Sequence, residues 1–184
     1  MDERNEVQRP RSRLKLLASL LLALFAGLVL VGACLSLVVS STPRHTLEVP
    51  TGELSAGAPR FYAQPSFGAD ANGRTYGVWV LVPDRGATRA FASRAAGSDC
   101  SVSWRPEVAV GGVTGVFQDA CDNSSYDADG RLLAGPALRG LDRFDVEVTA
   151  SRVVVDLENA HAGTCRRDPA PGVPCSPEPT ATAR

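Results

Sequence analysis

The sequence predicts an all-β domain, built as an antiparallel sandwich or open barrel, behind one N-terminal transmembrane helix. Three observations carry this reading. Residues 16–39 run for 24 positions without a charge. Beyond them apolar and polar residues alternate at strand spacing, and no window keeps a 3.6-residue period. Turn sequences rich in Gly, Pro, Asp and Ser separate the alternating runs. The chain has 184 residues, a formal net charge of −1 and 44% apolar residues, which suits one ordinary domain plus an anchor. A charge so near zero argues against nucleic-acid binding, which needs a basic patch.

Residues 1–15 carry Arg4, Arg9, Arg11, Arg13 and Lys15, whereas only Arg44 and His45 closely follow the apolar run. The positive-inside rule therefore keeps the N-terminus in the cytoplasm and exports everything from Ser40 onward. A helix over 16–39 is about 36 Å long, against a hydrocarbon core of about 30 Å. Val31-Gly32-Ala33-Cys34 offers a second reading, a lipoprotein anchored at Cys34, and a cleaved secreted form is the third. Apolar residues continue past Cys34 as Leu35, Leu37, Val38 and Val39, which puts the uncleaved anchor first. Residues 40–58, rich in Thr, Pro, Ser and Gly, read as a tether.

The domain proper occupies 59–165. Tyr76 to Val82 places Val78, Val80 and Val82 on one face, Trp79 and Leu81 on the other, and ends at the turn Pro83-Asp84-Arg85-Gly86. Arg143 to Thr149 points Phe144, Val146 and Val148 inward. Arg152 to Leu157 repeats the alternation with Val153, Val155 and Leu157, and Ala150-Ser151 between them predicts a tight hairpin. Gly111, Gly112 and Gly115 read as a turn between two strands. Trp79 and Trp104 read as core residues, and no internal repeat is seen. From Arg166 to the end five prolines fall in 19 residues, a composition that predicts a tail.

Four cysteines lie in the exported part: Cys100, Cys121, Cys165 and Cys175. An even count in an oxidising compartment reads as two disulfides with three possible pairings, of which pairing of neighbours is the economical one. The close Cys-x-x-Cys spacing of a redox motif is missing. No nucleophile elbow, zinc-protease helix or phosphate-cradling loop occurs either, so the chain is not read as an enzyme.

Three stretches resemble a Rieske domain: Cys100-Ser101-Val102-Ser103-Trp104, then Phe117 through Arg131 with Cys121-Asp122-Asn123-Ser124-Ser125-Tyr126-Asp127-Ala128-Asp129-Gly130-Arg131, then Gly135-Pro136-Ala137. In that family a first Cys-Thr-His-Leu-Gly-Cys loop precedes a strand often marked by Trp. A second Cys-Pro-Cys-His-Gly-Ser loop precedes Tyr-Asp-x-x-Gly-Arg and a later Gly-Pro-Ala-Pro. The first Cys and the His of each loop hold a [2Fe–2S] cluster, and the remaining two cysteines form a disulfide. The resemblance runs more weakly from about Thr46 to Leu157. It implies a Rieske-like fold with a loop subdomain over about 95–140, and a Cys100–Cys121 disulfide.

The ligand positions are changed. They become Ala95 and Gly97 in the first loop, Asp119 and Asp122 in the second, whereas a Rieske centre needs two thiolates and two imidazoles. Shifting the register to make Cys100 and Cys121 ligands puts Val102 and Ser124 at the imidazole positions. The only histidines, His45 and His161, lie outside both loops, His161 beyond the last strand. The resemblance thus implies the fold without the cluster, and no cofactor is predicted. Ser124 and Tyr126 match family positions that hydrogen-bond to cluster sulfur, but read here as a polar strand start and a packed ring. Asp99, Asp119, Asp122 and Asn123 offer hard oxygen ligands for calcium, with Asp119 and Asp122 the leading candidates. Exposed loop acids are the plainer reading.

Family members serve quinol-oxidising cytochrome complexes or oxygenases. The expected role is therefore an accessory or scaffold subunit of a membrane electron-transfer complex, contacting its partner through loops 95–100 and 118–124. Two alternatives stand beside it: a genuine Rieske electron carrier with unrecognised ligands, and an extracytoplasmic ligand- or calcium-binding module.

Overall fold

A computed structural model describes residues 15, 17, 19–27, 29, 45–167, 174–175 and 178–180. The chain divides into two units, Met1–Pro43 and Arg44–Arg184. In the first, the described residues are helical, and Leu17, Leu20, Leu21, Leu22, Leu24, Phe25 and Val29 are exposed. No helix among the described residues is long and apolar enough to cross a membrane. Cys34, most of residues 1–15 and much of the 16–39 span lie outside the described residues.

The described residues of the second unit hold ten strands: β1 (Thr46–Pro50), β2 (Arg60–Ala63), β3 (Gly77–Leu81), β4 (Arg89–Ala92), β5 (Val102–Val110), β6 (Val113–Asp119), β7 (Ser125–Tyr126), β8 (Leu132–Ala134), β9 (Arg143–Val148) and β10 (Arg152–His161). They form a six-stranded sheet in the order β1-β10-β9-β4-β3-β2 and a four-stranded sheet in the order β5-β6-β7-β8. Every strand pair is antiparallel. The domain is all-β, as the alternating pattern predicts.

Strand periodicity divides the core in two. Val78 and Val80 of β3 and Ala90 and Ala92 of β4 join Val49, Phe144, Val153, Val155 and Leu157 in one buried cluster. Phe91, from the opposite face of β4, joins Ala95, Val102, Phe117, Tyr126, Ala137 and Leu141 in the other, with Trp79 and Trp104 packed against it. The β3–β4 pair is therefore buried on both faces, and its second face carries the four-stranded sheet. Both tryptophans, expected in the core, are half-buried and pack against it: Trp79 and Trp104 lie 5.6 and 4.9 Å from the Phe117 ring.

The β9–β10 hairpin turns through Thr149–Arg152, with the Thr149 amide donating to the Arg152 carbonyl at 2.8 Å. Val148, expected inside, is 54% exposed. The reason is register: β4 pairs with β9 only at Arg143 and Phe144, so nothing from β4 covers the far end of β9. The stretch read as a tether contributes β1, whose Val49 is fully buried between neighbours of the first cluster. Of the three glycines expected in the turn between two strands, Gly111 and Gly112 form it, both with positive φ. Gly115 belongs to β6 instead. Its φ is +78°, and a Cβ there would stand 2.9 Å from the Trp104 ring, so the ring needs a glycine beneath it.

The C-terminal stretch read as a tail is tied to the domain where it is described. The Arg166 amide donates to the Leu138 carbonyl at 2.9 Å, and Cys175 is bridged to Cys165. Arg139 and Asp142, both 1% exposed, form a buried ion pair. Arg139 also donates to the Glu178 carbonyl at 3.0 Å, while the Thr180 amide and hydroxyl donate to Asp142 at 2.6 and 2.7 Å. Composition alone missed this, because a buried carboxylate recruits donors from a segment with little apolar surface. Asp142→Ala should destabilise the domain by about 3–5 kcal/mol, since it strands a buried guanidinium. Chemical denaturation checks this, and replacing both partners by Arg139→Met and Asp142→Leu should cost less.

Candidate functional site at the disulfide-linked loops

The β5–β6 ladder fixes the site. Val102 pairs with Asp119 and Trp104 with Phe117. Continuing that register two residues past the strand ends brings Cys100 opposite Cys121, and these two are bridged with Cα atoms 5.6 Å apart. The β4–β5 loop closes before it through an Arg94–Ser101 bridge. Within that loop the Ser98 hydroxyl accepts from the Cys100 amide at 3.1 Å.

The β6–β7 loop is organised by its own carboxylates. Asp119 is fully buried, and its Oδ1 accepts from the amides of Cys121 at 2.7 Å and Asp122 at 3.4 Å. Its Oδ2 has no hydrogen-bond partner. Asp122 Oδ1 accepts from the Ser124 amide at 2.7 Å, and Asn123 takes the left-handed conformation with φ +61°. The Ser124 hydroxyl accepts from the Ala137 amide at 3.0 Å. Gly135 presses so close that a Cβ there would sit 2.5 Å from Ser124 Cα. The Gly135-Pro136-Ala137 turn is thus a brace for the second loop. Tyr126 is fully buried in the second cluster. Burial raises its hydroxyl well above the usual phenol range, the carboxylates of Asp122 and Asp119 add to this, and Ser124 acts weakly against it.

The predicted ligand positions scatter. Ala95 is a core residue, 1% exposed, and Gly97 is an exposed turn residue with open space at its Cβ position. Among the described His, Cys, Asp and Glu residues, the one group of three whose ligand atoms come together is Cys100, Asp119 and Cys121, within 4.8 Å of one another. Asp122 lies outside that group, and Asp99 turns its carboxylate to Arg94 at 3.0 Å, so the four-residue calcium set does not assemble. His161 is the last residue of β10 rather than beyond it, with Nε2 3.0 Å from Asp145 Oδ1. His45 precedes β1. The donors at these loops do not fit an iron–sulfur cluster: both sulfurs are spent on the bridge, Ala95 and Gly97 offer no ligand atom, and Asp119 and Asp122 each accept from amides of their own loop.

Beside the first loop lies a cleft of about 510 Å³, lined by residues including Gly68, Asp70, Tyr76, Arg94, Asp99 and Thr180. The Arg94 guanidinium stands 5.4 Å from the centre of the Tyr76 ring, and the Tyr76 hydroxyl donates to the Asp99 carbonyl at 2.9 Å. Sequence reading missed this cleft, although one signal marked its wall. Asp70-Ala71-Asn72-Gly73-Arg74 repeats the pattern of Asp127-Ala128-Asp129-Gly130-Arg131, and the structure gives both the same turn. Asp70 Oδ1 accepts from the Asn72 and Arg74 amides at 2.9 Å, as Asp127 Oδ1 accepts from Asp129 and Arg131 at 2.8 Å. The short repeat is a local solution to reversing the chain, and it spends the carboxylate on backbone donors.

Burial would raise the Asp70 carboxyl, but the Arg74 and Asn72 amides and the Arg74 guanidinium outweigh it and hold it below the usual 3.8. A depressed folded-state pKa adds stability above the unfolded value and loses it as pH falls through the folded one. Asp70→Ala should therefore cost about 1 kcal/mol near neutral pH, and the gap to wild type should close as pH falls below 3.8. Urea denaturation across that range checks it. No protein-family model matches this chain, and no curated protein matches it in sequence.

Proposed function

We propose that this chain is a membrane-anchored, extracytoplasmic, Rieske-like protein without a cluster, serving as an accessory or scaffold subunit of a membrane electron-transfer complex. The 24-residue uncharged run at 16–39, flanked on its N-terminal side by five basic residues, is the anchor in this reading.

One observation carries the proposal. The Cys100–Cys121 bridge joins the loop before the Trp104 strand to the loop before the Tyr126 strand, the order in which the resembled family places its two cluster-binding loops. The brace of Gly135, Pro136 and Ala137 against Ser124 matches the third stretch of the resemblance. With its sulfurs joined and Asp119 capping the turn, the tip is a braced surface suited to docking rather than to holding iron.

The test is affinity purification of the tagged full chain from detergent-solubilised membranes, with chemical crosslinking. A haem-carrying membrane complex should co-purify, crosslinked through residues 95–100 or 118–124. Recovery of the chain alone, or crosslinks confined to the β1–β10 edge, overturns the proposal.

A further inference from the structure

The Cys100–Cys121 bridge is asymmetric. Cys100 is 2% exposed, whereas Cys121 is an exposed residue. Behind them Asp119 is fully buried, and a carboxylate oxygen of it lies within 4.8 Å of both sulfurs. Capping accounts for Oδ1, which accepts from the Cys121 and Asp122 amides. It leaves Oδ2 buried and unpartnered, an arrangement that is costly and calls for a reason. A buried acid–base group beside a buried sulfur is what proton transfer to and from that sulfur requires.

We propose that Cys100–Cys121 is a thiol–disulfide exchange centre that oxidises an exported dithiol, with Asp119 carrying the proton of the buried Cys100. This goes beyond the scaffold reading and does not depend on it. A thiolate of the dithiol attacks Sγ of Cys121, the exposed member of the bridge. The S–S bond breaks, and its electron pair leaves on Cys100 Sγ, which receives a proton through Asp119. The second thiol of the dithiol, losing its proton, attacks its own mixed-disulfide sulfur and releases Cys121, which takes up a proton. Two electrons and two protons pass from the dithiol to the bridge, and the dithiol departs as a disulfide. In re-oxidation an external disulfide is the oxidant: the Cys121 thiolate attacks it and releases one thiol, Asp119 takes the proton from Cys100, and the Cys100 thiolate attacks Cys121 Sγ and releases the second thiol. The distance between the cysteines in sequence is no obstacle, because the β5–β6 register supplies the juxtaposition that a short motif supplies elsewhere.

The test uses the oxidised full chain in detergent, with dithiothreitol and oxidised glutathione as probes. Alkylation and mass spectrometry read each bridge separately, and circular dichroism follows folding. Dithiothreitol should open Cys100–Cys121 in the folded chain. Cys100→Ser should trap glutathione on Cys121, whereas Cys121→Ser should leave Cys100 unmodified. Asp119→Asn retains an acceptor for the Cys121 amide and should slow re-formation of the bridge on the order of 10²-fold, with trapping at Cys121 unchanged. A residue that merely caps the turn would not separate the two steps. A bridge that opens only as fast as the chain unfolds overturns the proposal, as does wild-type re-formation in folded Asp119→Asn. Should that variant not fold, equal modification of Cys121 in Cys100→Ser and of Cys100 in Cys121→Ser overturns it.

Discussion

Phe117 sits where the two sheets meet. Its ring contacts Trp79 and Phe91 from the six-stranded sheet and Trp104 from its own, with centroids 4.9–5.8 Å apart. Because side chains alternate along β6, a buried Phe117 forces Asp119 inward as well. Because Trp104 pairs with Phe117, the same ladder then sets Val102 against Asp119 and, one step on, Cys100 against Cys121. A one-residue slip would send the aromatic ring, the carboxylate and the register of the bridge astray together. The packing of one aromatic residue thus determines the chemistry available at the tip.

That dependence explains the character of the loops. The bridge spans 21 residues of chain, a length at which loop closure restrains the unfolded state by about 3 kcal/mol. Around it the backbone donors are met locally, by Ser98, Asp119, Asp122 and Ser124. The bridge and these local hydrogen bonds tie the two loops to the β5–β6 ladder. The second buried charge system, Arg139 with Asp142, does the corresponding work at the C-terminal end by gathering Glu178 and Thr180 to the domain.

Much of this was legible in the sequence, and the rest was hidden for identifiable reasons. Val153, Val155 and Leu157 alternate cleanly because the first part of β10, paired on both sides by β1 and β9, turns one face to the core. Strand β1 escaped notice because an edge strand of five residues buries only Val49. Strands β7 and β8, of two and three residues, are too short to show a period. The pairing of Cys100 with Cys121 followed from neighbouring cysteines and from the resemblance, but Asp119 could not be told from a surface acid until the register was known. The Asp-Ala-x-Gly-Arg turns at 70–74 and 127–131 carry a further lesson. A pattern that looks specific to a family also arises from turn chemistry alone, so the weight of the resemblance rests on the loop order and the brace at Gly135 rather than on that turn.

The central claim is that the tip is held by a disulfide and a capping carboxylate in place of a cluster. Iron and acid-labile sulfide, measured on the folded, oxidised chain beside its visible spectrum, test it most directly. The account predicts a colourless protein with iron and sulfide near zero. Iron and sulfide in whole-number ratio to the chain, with visible absorption and an EPR signal on reduction, would contradict it.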